Sequence, residues 1–197
     1  MIETTPFFVT EFFETHKEFE NANVLEVGSL NDDNGTIIAQ LPKGVKYTGT
    51  DMHEGAMKRD MAVNGETYGN NVDVLVNAHD LLTKFKPESF DVVFCFDTLE
   101  HDENFWITWE NIKSVTKKGG YIVLGVPGRF CPEHTDIDNY PGDYWRFMES
   151  SFKDYFFKGF EDFYVKVITH EDWNQVAQQI AEGEIYGWGR KPLWNVV

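Results

Sequence analysis

Two acidic residues and a glycine lie where short apolar runs of the sequence end. Glu26 and Gly28 close the run at 24–27, and Asp51 closes a second run about 25 residues after Glu26. If both runs are strands of one parallel sheet, their ends meet at one edge, where such sheets bind ligands. Glycine lets the backbone approach a ligand closely, and a carboxylate at this spacing can accept both hydroxyls of an adenosine ribose. The pattern predicts an adenosine-containing ligand.

The charges of the first turn favour one adenosine ligand over another. Glu26, Asp32 and Asp33 would face the pyrophosphate of a dinucleotide, and the turn lacks the full G-x-G-x-x-G pattern. S-adenosylmethionine keeps the ribose but carries a sulfonium and an ammonium group, for which the same acids are favourable partners. Two structural interpretations stay open, because Gly28 suits any tight turn and Asp51 could cap the next helix.

A histidine follows the fourth apolar run, which ends at Phe96. An imidazole changes charge near neutral pH, so His101 could take a proton from a substrate at the same edge of the sheet. The alternative is that Glu100, His101 and Asp102 together cap the helix that follows, since the positive end of a helix favours acids.

Residues 127–147 form a long stretch without periodicity that contains five aromatic residues. Such a stretch in a compact domain is usually functional or disordered, and its aromatic content argues against disorder. Tyr144 offers a flat apolar face to a substrate. Arg146 could hold a carboxylate or phosphate in bidentate fashion, or it could pair with Asp143 of the same chain.

The same stretch contains a second candidate base, His134. Together with Asp136 and Asp138, this histidine could also bind a divalent metal. Alternating acids in such a loop are more often turn formers, and no further ligand has a clear spacing. We therefore expect His134 to act without a metal ion.

The elements that must position these residues alternate between strands and helices. Near-continuous apolar runs are typical of strands buried on both faces of a parallel sheet. The predicted strands are 24–27, 45–51, 72–76, 90–96, 121–126, 163–169 and 185–189, and the predicted helices begin at Thr5 and cover 102–116, 149–158 and 171–181. Helices between such strands imply an open α/β sheet with right-handed crossovers.

Composition limits the class of protein and its partners. The chain has 197 residues, of which 42% are hydrophobic, which predicts one domain over 1–197 with an N-terminal helix in 1–21. A net charge of −16 disfavours nucleic acid. Apolar stretches are too short to cross a membrane, no targeting segment is visible, and two dissimilar cysteines suit a reducing cytoplasm.

Several segments together resemble one known family. The run NVLEVGSLNDDNGT resembles the first motif of the class I S-adenosylmethionine-dependent methyltransferases, and YTGTDM resembles the second. The runs VDVLVNAHDL and FDVVFCFDTLEH are similar to the third and fourth, and KKGGYIVLGVPG and IYGWGRKP to the fifth strand and the last. The likeness covers about residues 22–190 and is strongest to the small type-11 branch.

The resemblance implies a fold and a set of cofactor residues. The fold is a single Rossmann-like methyltransferase domain, with a mostly parallel seven-stranded sheet, helices on both faces and an antiparallel last strand. The residues at the positions that bind the cofactor in this family are Glu26, Gly28, Ser29, Asp51, Met52, Asn77, Ala78, His79, Asp97 and Thr98. Leu30 and Asp32 replace the second and third glycines of the first motif. His79 could also be an ordinary half-buried histidine at a helix start.

The implied reaction is in-line transfer of a methyl group to a small-molecule acceptor, such as a sugar or another hydroxylated metabolite. The segment Asp143–Phe147 is similar to a DYWRF-like segment of several small methyltransferases, which places 127–147 on the acceptor side. The residues predicted to act there are His101, His134, Tyr144 and Arg146. The alternatives are a non-catalytic S-adenosylmethionine-binding or scaffold protein and, less compatible with the acids, a nucleotide-dependent oxidoreductase.

Overall fold

The fold is built around a seven-stranded sheet. The computed structural model describes residues 5–29, 36–52, 61–63, 66–68, 72–133, 142–168 and 183–194. Its strands are β1 (Asn23–Val27), β2 (Lys46–Asp51), β3 (Met61–Val63), β4 (Glu66–Tyr68), β5 (Val74–Leu75), β6 (Phe90–Phe96), β7 (Thr116–Pro127), β8 (Glu161–Val167) and β9 (Glu184–Arg190). Its α-helices are α1 (Thr5–Thr15), α2 (Thr36–Gln40), α3 (Leu81–Lys84), α4 (Phe105–Val115) and α5 (Glu149–Ser151).

The strand order confirms the predicted architecture. The sheet runs β5-β2-β1-β6-β7-β9-β8. The pairs from β5 to β7 are parallel, whereas β9 is antiparallel to both β7 and β8. All seven predicted strands are present in this sheet, although β7 begins at Thr116 rather than at 121. Strands β3 and β4 form a separate antiparallel hairpin that the sequence pattern does not indicate.

Alternating residues of the central strands build a core on each face of the sheet. One cluster contains Leu25, Val93 and Ile122, and packs against Trp109 and Ile112 of α4. The opposite cluster is packed by α1 and α2 and contains Phe8, Val9, Phe12, Phe13, Val24, Ile37, Val92, Phe94 and Val123. Because successive side chains of a strand point to opposite faces, near-continuous apolar strands require cover on both sides.

The first helix ends well before the end of the predicted range 1–21. It ends at Thr15, and a separate 3₁₀ turn covers Lys17–Phe19. The helix ends because His16 leaves the helical conformation, with φ −119° and ψ 70°, while its ring Nδ1 lies 2.9 Å from Phe12 O. The ring also packs against Tyr121, with 4.4 Å between centroids. The buried ring of His16 thus joins the helix end to the core.

Helix α4 is bounded by residues that the sequence pattern does not indicate. It begins at Phe105 rather than at 102, since the Asp102 carboxylate accepts a hydrogen bond from Asn104 N at 2.9 Å. It ends where β7 follows directly, so the lysines at 117–118 lie in the strand and not in the helix. Lys191 Nζ instead binds Lys113 O and Thr116 O, both at 2.7 Å, and so supplies the positive charge that helix C-termini favour.

The remaining predicted elements differ in detail. The helix expected over 149–158 consists of one α-helical turn, α5, followed by a π-helical turn at Phe152–Phe156. Its apolar face packs Phe152, Phe156 and Phe157 into the core beside α4. The helix predicted over 171–181 and the stretch 134–141, including His134, lie outside the described residues.

Candidate functional site

A cavity of about 310 Å³ opens at the carboxyl ends of β1, β2 and β5. This volume is typical of small-molecule sites. The lining residues include seven of the ten predicted cofactor residues, namely Gly28, Asp51, Met52, Asn77, Ala78, His79 and Thr98. Residues outside that prediction also line it, among them Val27, Thr50, His101, Asp102, Glu103, Asn104, Thr108 and Tyr144.

The turn after β1 leaves no room for a side chain at its glycine. Gly28 has φ +82°, and an added Cβ would overlap Thr98 Oγ1. Gly28 N donates to Thr50 O at 2.8 Å, and Thr98 Oγ1 donates to Phe96 O at 2.8 Å. The turn therefore brings bare backbone to the cavity wall between β2 and the end of β6, which is what a closely bound ligand requires.

Asp51 lies at the end of β2 and is almost completely buried, with 6% of its surface exposed. Its backbone O accepts from Val76 N at 2.8 Å, which fixes the strand end against β5. The neighbouring Asp73 side chain accepts from Gly49 N at 2.9 Å and anchors the same strand two residues earlier. Strand pairing thus holds Asp51 at the cavity in a defined position.

A histidine–aspartate pair forms another part of the wall. His79 Nε2 lies 3.0 and 2.9 Å from the two oxygens of Asp102. The same carboxylate accepts from Thr108 Oγ1 at 2.6 Å. On the other side of His79, Asn77 Oδ1 accepts from His79 N at 2.8 Å. His79 is therefore both a residue of a short 3₁₀ turn, Ala78–Asp80, and a cavity residue, so neither of its two predicted roles excludes the other.

Three predicted cofactor residues do not line the cavity. Glu26 is buried in the sheet and accepts a hydrogen bond from the Tyr47 hydroxyl. Ser29 is buried with its hydroxyl 3.4 Å from Thr50 O. Asp97 follows β6 with φ +45° and directly precedes Thr98. Their expected contacts with a cofactor stay predictions.

Two of the four predicted acceptor residues, His101 and Tyr144, belong to segments that are hydrogen-bonded to each other. Residues 142–145 are bonded to the 3₁₀ turn Leu99–His101, since Tyr144 N donates to Glu100 O at 2.8 Å. His101 Nδ1 lies 3.1 Å from Gly142 O, and because a carbonyl only accepts, Nδ1 carries a proton and Nε2 is the basic nitrogen of the neutral ring. His101 and Tyr144 both line the cavity.

Arg146 takes the second of its two predicted roles, the ion pair. Its Nη1 and Nη2 bind the two oxygens of Asp143, each at 2.5 Å. Its other hydrogen bonds reach three carbonyls, with Nε on Cys131 O, Nη2 on Pro132 O and Nη1 on Trp145 O. The hydrogen bonds to Asp143 raise the pKa of Arg146 further above its ordinary value. All five donors are used, so Arg146 joins 131–132 to 143–146.

Three carboxylic acids, Asp97, Glu100 and Glu184, lie close together at the edge of the sheet where β6 ends and β9 begins, and we call them the acidic cluster. Glu184 is 1% exposed and opens β9 opposite Pro127, while Glu100 is completely buried. Burial, followed by the charges of Asp97 and Glu100, raises the pKa of Glu184 to about 9. Cys131 Sγ donates to Glu184 Oε1 at 3.3 Å, and burial raises the pKa of this thiol to about 12.

The sequence gives a signal for only some of the site residues that the prediction did not include. Asp102 carries one, because it directly follows Glu100-His101 at a predicted helix start. Glu184 precedes an apolar strand and belongs to no motif, and Cys131 belongs to a polar loop. Only the pairing of β9 with β7 brings Glu184 to the sheet edge.

Comparisons with known proteins identify the family of the chain. A sequence model described as a methyltransferase domain matches residues 25–124. This range covers β1, the strand that leads into Gly28, through most of β7. No curated protein sequence matches the chain.

Solved structures with the same fold are numerous. An S-adenosylmethionine-dependent methyltransferase from Archaeoglobus fulgidus is 15% identical with a TM-score of 0.63, over 95% of each chain. The 1,6-didemethyltoxoflavin-N1-methyltransferase of Burkholderia thailandensis, solved with 1,6-didemethyltoxoflavin and S-adenosylhomocysteine, is 14% identical with a TM-score of 0.64, over 96% of this chain and 80% of that one. A methyltransferase from Methanosarcina mazei is 16% identical with a TM-score of 0.62, over 92% of this chain and 98% of that one.

Two kinds of feature are absent from the described residues. They contain no group of three or more His, Cys, Asp or Glu side chains arranged to hold a metal ion. Within the same ranges, no helix is long and apolar enough to cross a bilayer.

Proposed function

The chain belongs to the class I S-adenosylmethionine-dependent methyltransferases of type 11, and we propose that it transfers the methyl group to a small-molecule acceptor bound beside His101 and Tyr144. S-adenosylmethionine, the cofactor of this family, supplies a methyl group activated by its sulfonium. The observation that carries the proposal is the cavity, where the glycine turn, the buried Asp51 and the acceptor-side residues meet.

The residues at the ends of β1, β2 and β5 fit this cofactor. Thr98 Oγ1 occupies the place that a Cβ at residue 28 would take, so Gly28 presents only backbone to the cavity, where the methionine part can lie. Asp51 would accept the ribose hydroxyls, and Met52 and Asn77, which contact each other through Sδ and Nδ2 at 3.8 Å, would border the adenine. Carboxylates at this edge also favour the positive charge of the sulfonium.

The acceptor side supports a compact acceptor. Tyr144, which is 46% exposed, presents its ring at the cavity. His101, with Nδ1 held by Gly142 O, can accept a proton at Nε2. Alignment of the reacting atoms can contribute about 7–11 kcal/mol to such transfers where the pose is well fixed. Fixation of residues 142–146 by Glu100 and Arg146 serves this alignment.

Ligand-dependent melting of the full chain tests the cofactor part of the proposal. S-adenosylhomocysteine at about 1,000 times its dissociation constant adds about 4 kcal/mol to the free energy of unfolding and raises Tm. NADH is expected to leave Tm unchanged. The opposite pattern would contradict the proposal.

A pair of variants tests the position of the ribose. Asp51→Ala should abolish the shift that S-adenosylhomocysteine produces, because it removes the acceptor of two hydroxyl groups. Asp73→Asn is the matched control, since Asp73 anchors the same strand through Gly49 N but is exposed and does not line the cavity. A shift that survives in Asp51→Ala would show that the ribose binds elsewhere.

A further inference from the structure

The acidic cluster lies at the same edge of the sheet as the cavity. Asp97 directly precedes Thr98, a cavity residue that touches the glycine turn. Glu100 lies one residue before His101, another cavity residue. Because β6, β7 and β9 are neighbours in the sheet, Glu184 at the start of β9 reaches the same edge. The three carboxylates therefore lie at the same edge of the sheet as the cavity, and two of them directly precede residues that line it.

Glu184 has a carboxyl oxygen that finds no partner among the described residues. Its Oε1 accepts from Cys131 Sγ, whereas Oε2 is buried and lacks a hydrogen bond within the described part of the chain. Leaving such a group unpaired is unfavourable, and more so if it is charged. An oxygen without a hydrogen bond on an almost completely buried side chain destabilises the fold, and a bound ligand that donates to this oxygen can remove the destabilisation.

Two basic side chains lie near the cluster, His101, whose Nε2 is 3.8 Å from Glu100 Oε1, and Arg146, which is already committed to other groups. Arg146 is close enough to influence Glu184, but its five donors bind Asp143 and three carbonyls. Burial, followed by the charges of Asp97 and Glu100, favours the protonated form of Glu184 even with Arg146 nearby. A positively charged ligand group would reverse this effect, because a nearby opposite charge favours the carboxylate. The local field therefore selects a cation that can donate a hydrogen bond.

We propose that Asp97, Glu100 and Glu184 hold an ammonium group of the methyl acceptor, so that the atom that receives the methyl group is an amine nitrogen. This inference rests on the proposed function and narrows the methyl-accepting atom to nitrogen. A hydroxylated metabolite remains compatible when it carries an amino group. Phosphates and carboxylates at this position are disfavoured, because they would face the same acids.

The transfer balances without a further reactant. The ammonium loses one proton to a carboxylate of the cluster and becomes a neutral amine with a free electron pair. That pair forms the new nitrogen–carbon bond with the methyl group as the carbon–sulfur bond breaks, and the electrons of the broken bond remain on sulfur. The products are the methylated ammonium and the neutral thioether S-adenosylhomocysteine.

The first test uses sinefungin, a cofactor analogue with an amino-bearing carbon in place of the methylated sulfur. Its ammonium group occupies the place of the transferred methyl, whereas S-adenosylhomocysteine is neutral there. By calorimetry at pH 7, the wild-type chain should bind sinefungin at least tenfold more tightly than S-adenosylhomocysteine. In Glu184→Gln this ratio should fall below twofold while the affinity for S-adenosylhomocysteine is unchanged.

A matched variant separates the effect of the cluster on this ratio from the effect of the overall charge. Glu110→Gln removes a carboxylate from an exposed position on α4, where Glu110 pairs with Lys113 at 2.7 Å. This variant should keep the wild-type ratio. Equal ratios in wild type, Glu184→Gln and Glu110→Gln would overturn the inference. Absence of S-adenosylhomocysteine binding by the wild type would instead contradict the proposed function.

The second test identifies the atom that is methylated. The full chain is incubated with methyl-labelled S-adenosylmethionine and two pools of small molecules, which differ only in having amino or hydroxyl groups. Label should enter the amino pool, and Glu184→Gln should raise KM for the labelled amine at least tenfold with less than a threefold change in kcat. Label in the hydroxyl pool alone would overturn the inference.

Discussion

The two halves of the sheet edge satisfy their polar groups in different ways. At the ends of β1, β2 and β5, partners are close at hand, as with Gly28 N on Thr50 O and Asn77 Oδ1 on His79 N. At the ends of β6 and β9, distant parts of the sequence bury acids together, and Glu184 Oε2 lacks a hydrogen bond from any described residue. We call the first the cofactor half, because we propose that S-adenosylmethionine binds there, and the second the acidic half. Within the described part of the chain, the acidic half leaves Glu184 Oε2 for a ligand to satisfy.

The largest expected effect is a loss of ligand affinity when Gly28, in the cofactor half, is replaced. Gly28→Ala should lower the affinity for S-adenosylhomocysteine at least 100-fold by calorimetry, because the new Cβ would overlap Thr98 Oγ1 at a φ of +82°. The same strain should cost about 2–4 kcal/mol of stability.

Gly44 provides the control for that loss. It has φ +93°, and a Cβ there would overlap Asn21 Oδ1, but Gly44 does not line the cavity. Gly44→Ala should therefore destabilise the fold by a similar amount with unchanged ligand affinity. Equal loss of affinity in both variants would mean that strain, and not the cavity wall, explains the effect.

Burial of Glu184 in the acidic half should make the free energy of unfolding depend on pH. The folded chain keeps the Glu184 proton up to a pKa of about 9, whereas the unfolded chain releases it near the ordinary value of 4.5. The free energy of unfolding should therefore fall as the pH rises between these values. Glu184→Gln has no such proton and should be more stable than wild type by about 2–4 kcal/mol at pH 8, with little difference at pH 5.

Denaturant unfolding at the two pH values measures this difference. A variant that is less stable than wild type at pH 8 would show that the carboxylate is favourably paired. A stabilised variant that also loses the sinefungin preference would separate stability from function, since damage to the fold would lower both.

A smaller effect concerns the connection between the halves. Arg146→Lys should lower the free energy of unfolding by about 2–3 kcal/mol, because an ammonium cannot reproduce the planar fork that binds Asp143 and three carbonyls. Affinity for S-adenosylhomocysteine should change less than threefold, since Arg146 does not line the cavity. Arg129→Lys, at an exposed position, is the control and should be nearly neutral. A large loss of cofactor affinity in Arg146→Lys would place this residue in the cofactor site.

The smallest effect tests one hydrogen bond at the acceptor side of the cavity. Trp145 Nε1 donates to Asp102 O at 2.9 Å, and Trp145→Phe removes that donor while keeping an aromatic ring beside Phe105. Thermal melting should show a loss of about 1 kcal/mol. No change in Tm would mean that water replaces the bond without cost.

The cofactor half is more predictable from the sequence than the acidic half for a physical reason. Gly28 and Asp51 each follow an apolar run, so the rule for strand ends places them without knowledge of the tertiary structure. The seven strands of the sheet are recognisable, because strands buried on both faces leave near-continuous apolar runs. Helix ends are less predictable, since the charge at the end of α4 comes from Lys191, which is 78 residues from its partner Lys113.

The acidic half depends on contacts that no local pattern encodes. Glu184 reaches the edge only because β9 lies between β7 and β8. Arg146 forms the ion pair with Asp143 where the carbonyls at 131–132 surround it. Both outcomes depend on distant segments meeting. The role of His134, and those of Glu26, Ser29 and Asp97 toward the cofactor, stay predictions.

The interior position of β9 has a consequence for biosynthesis. Residues 184–190 separate β7 from β8, so a nascent chain exposes the unpaired edge of β7 until that segment has left the ribosome. Unpaired strand edges invite association with other chains. Premature termination before residue 184 should therefore yield an aggregating product, which makes translation of the last strand the step that commits this chain to its native state.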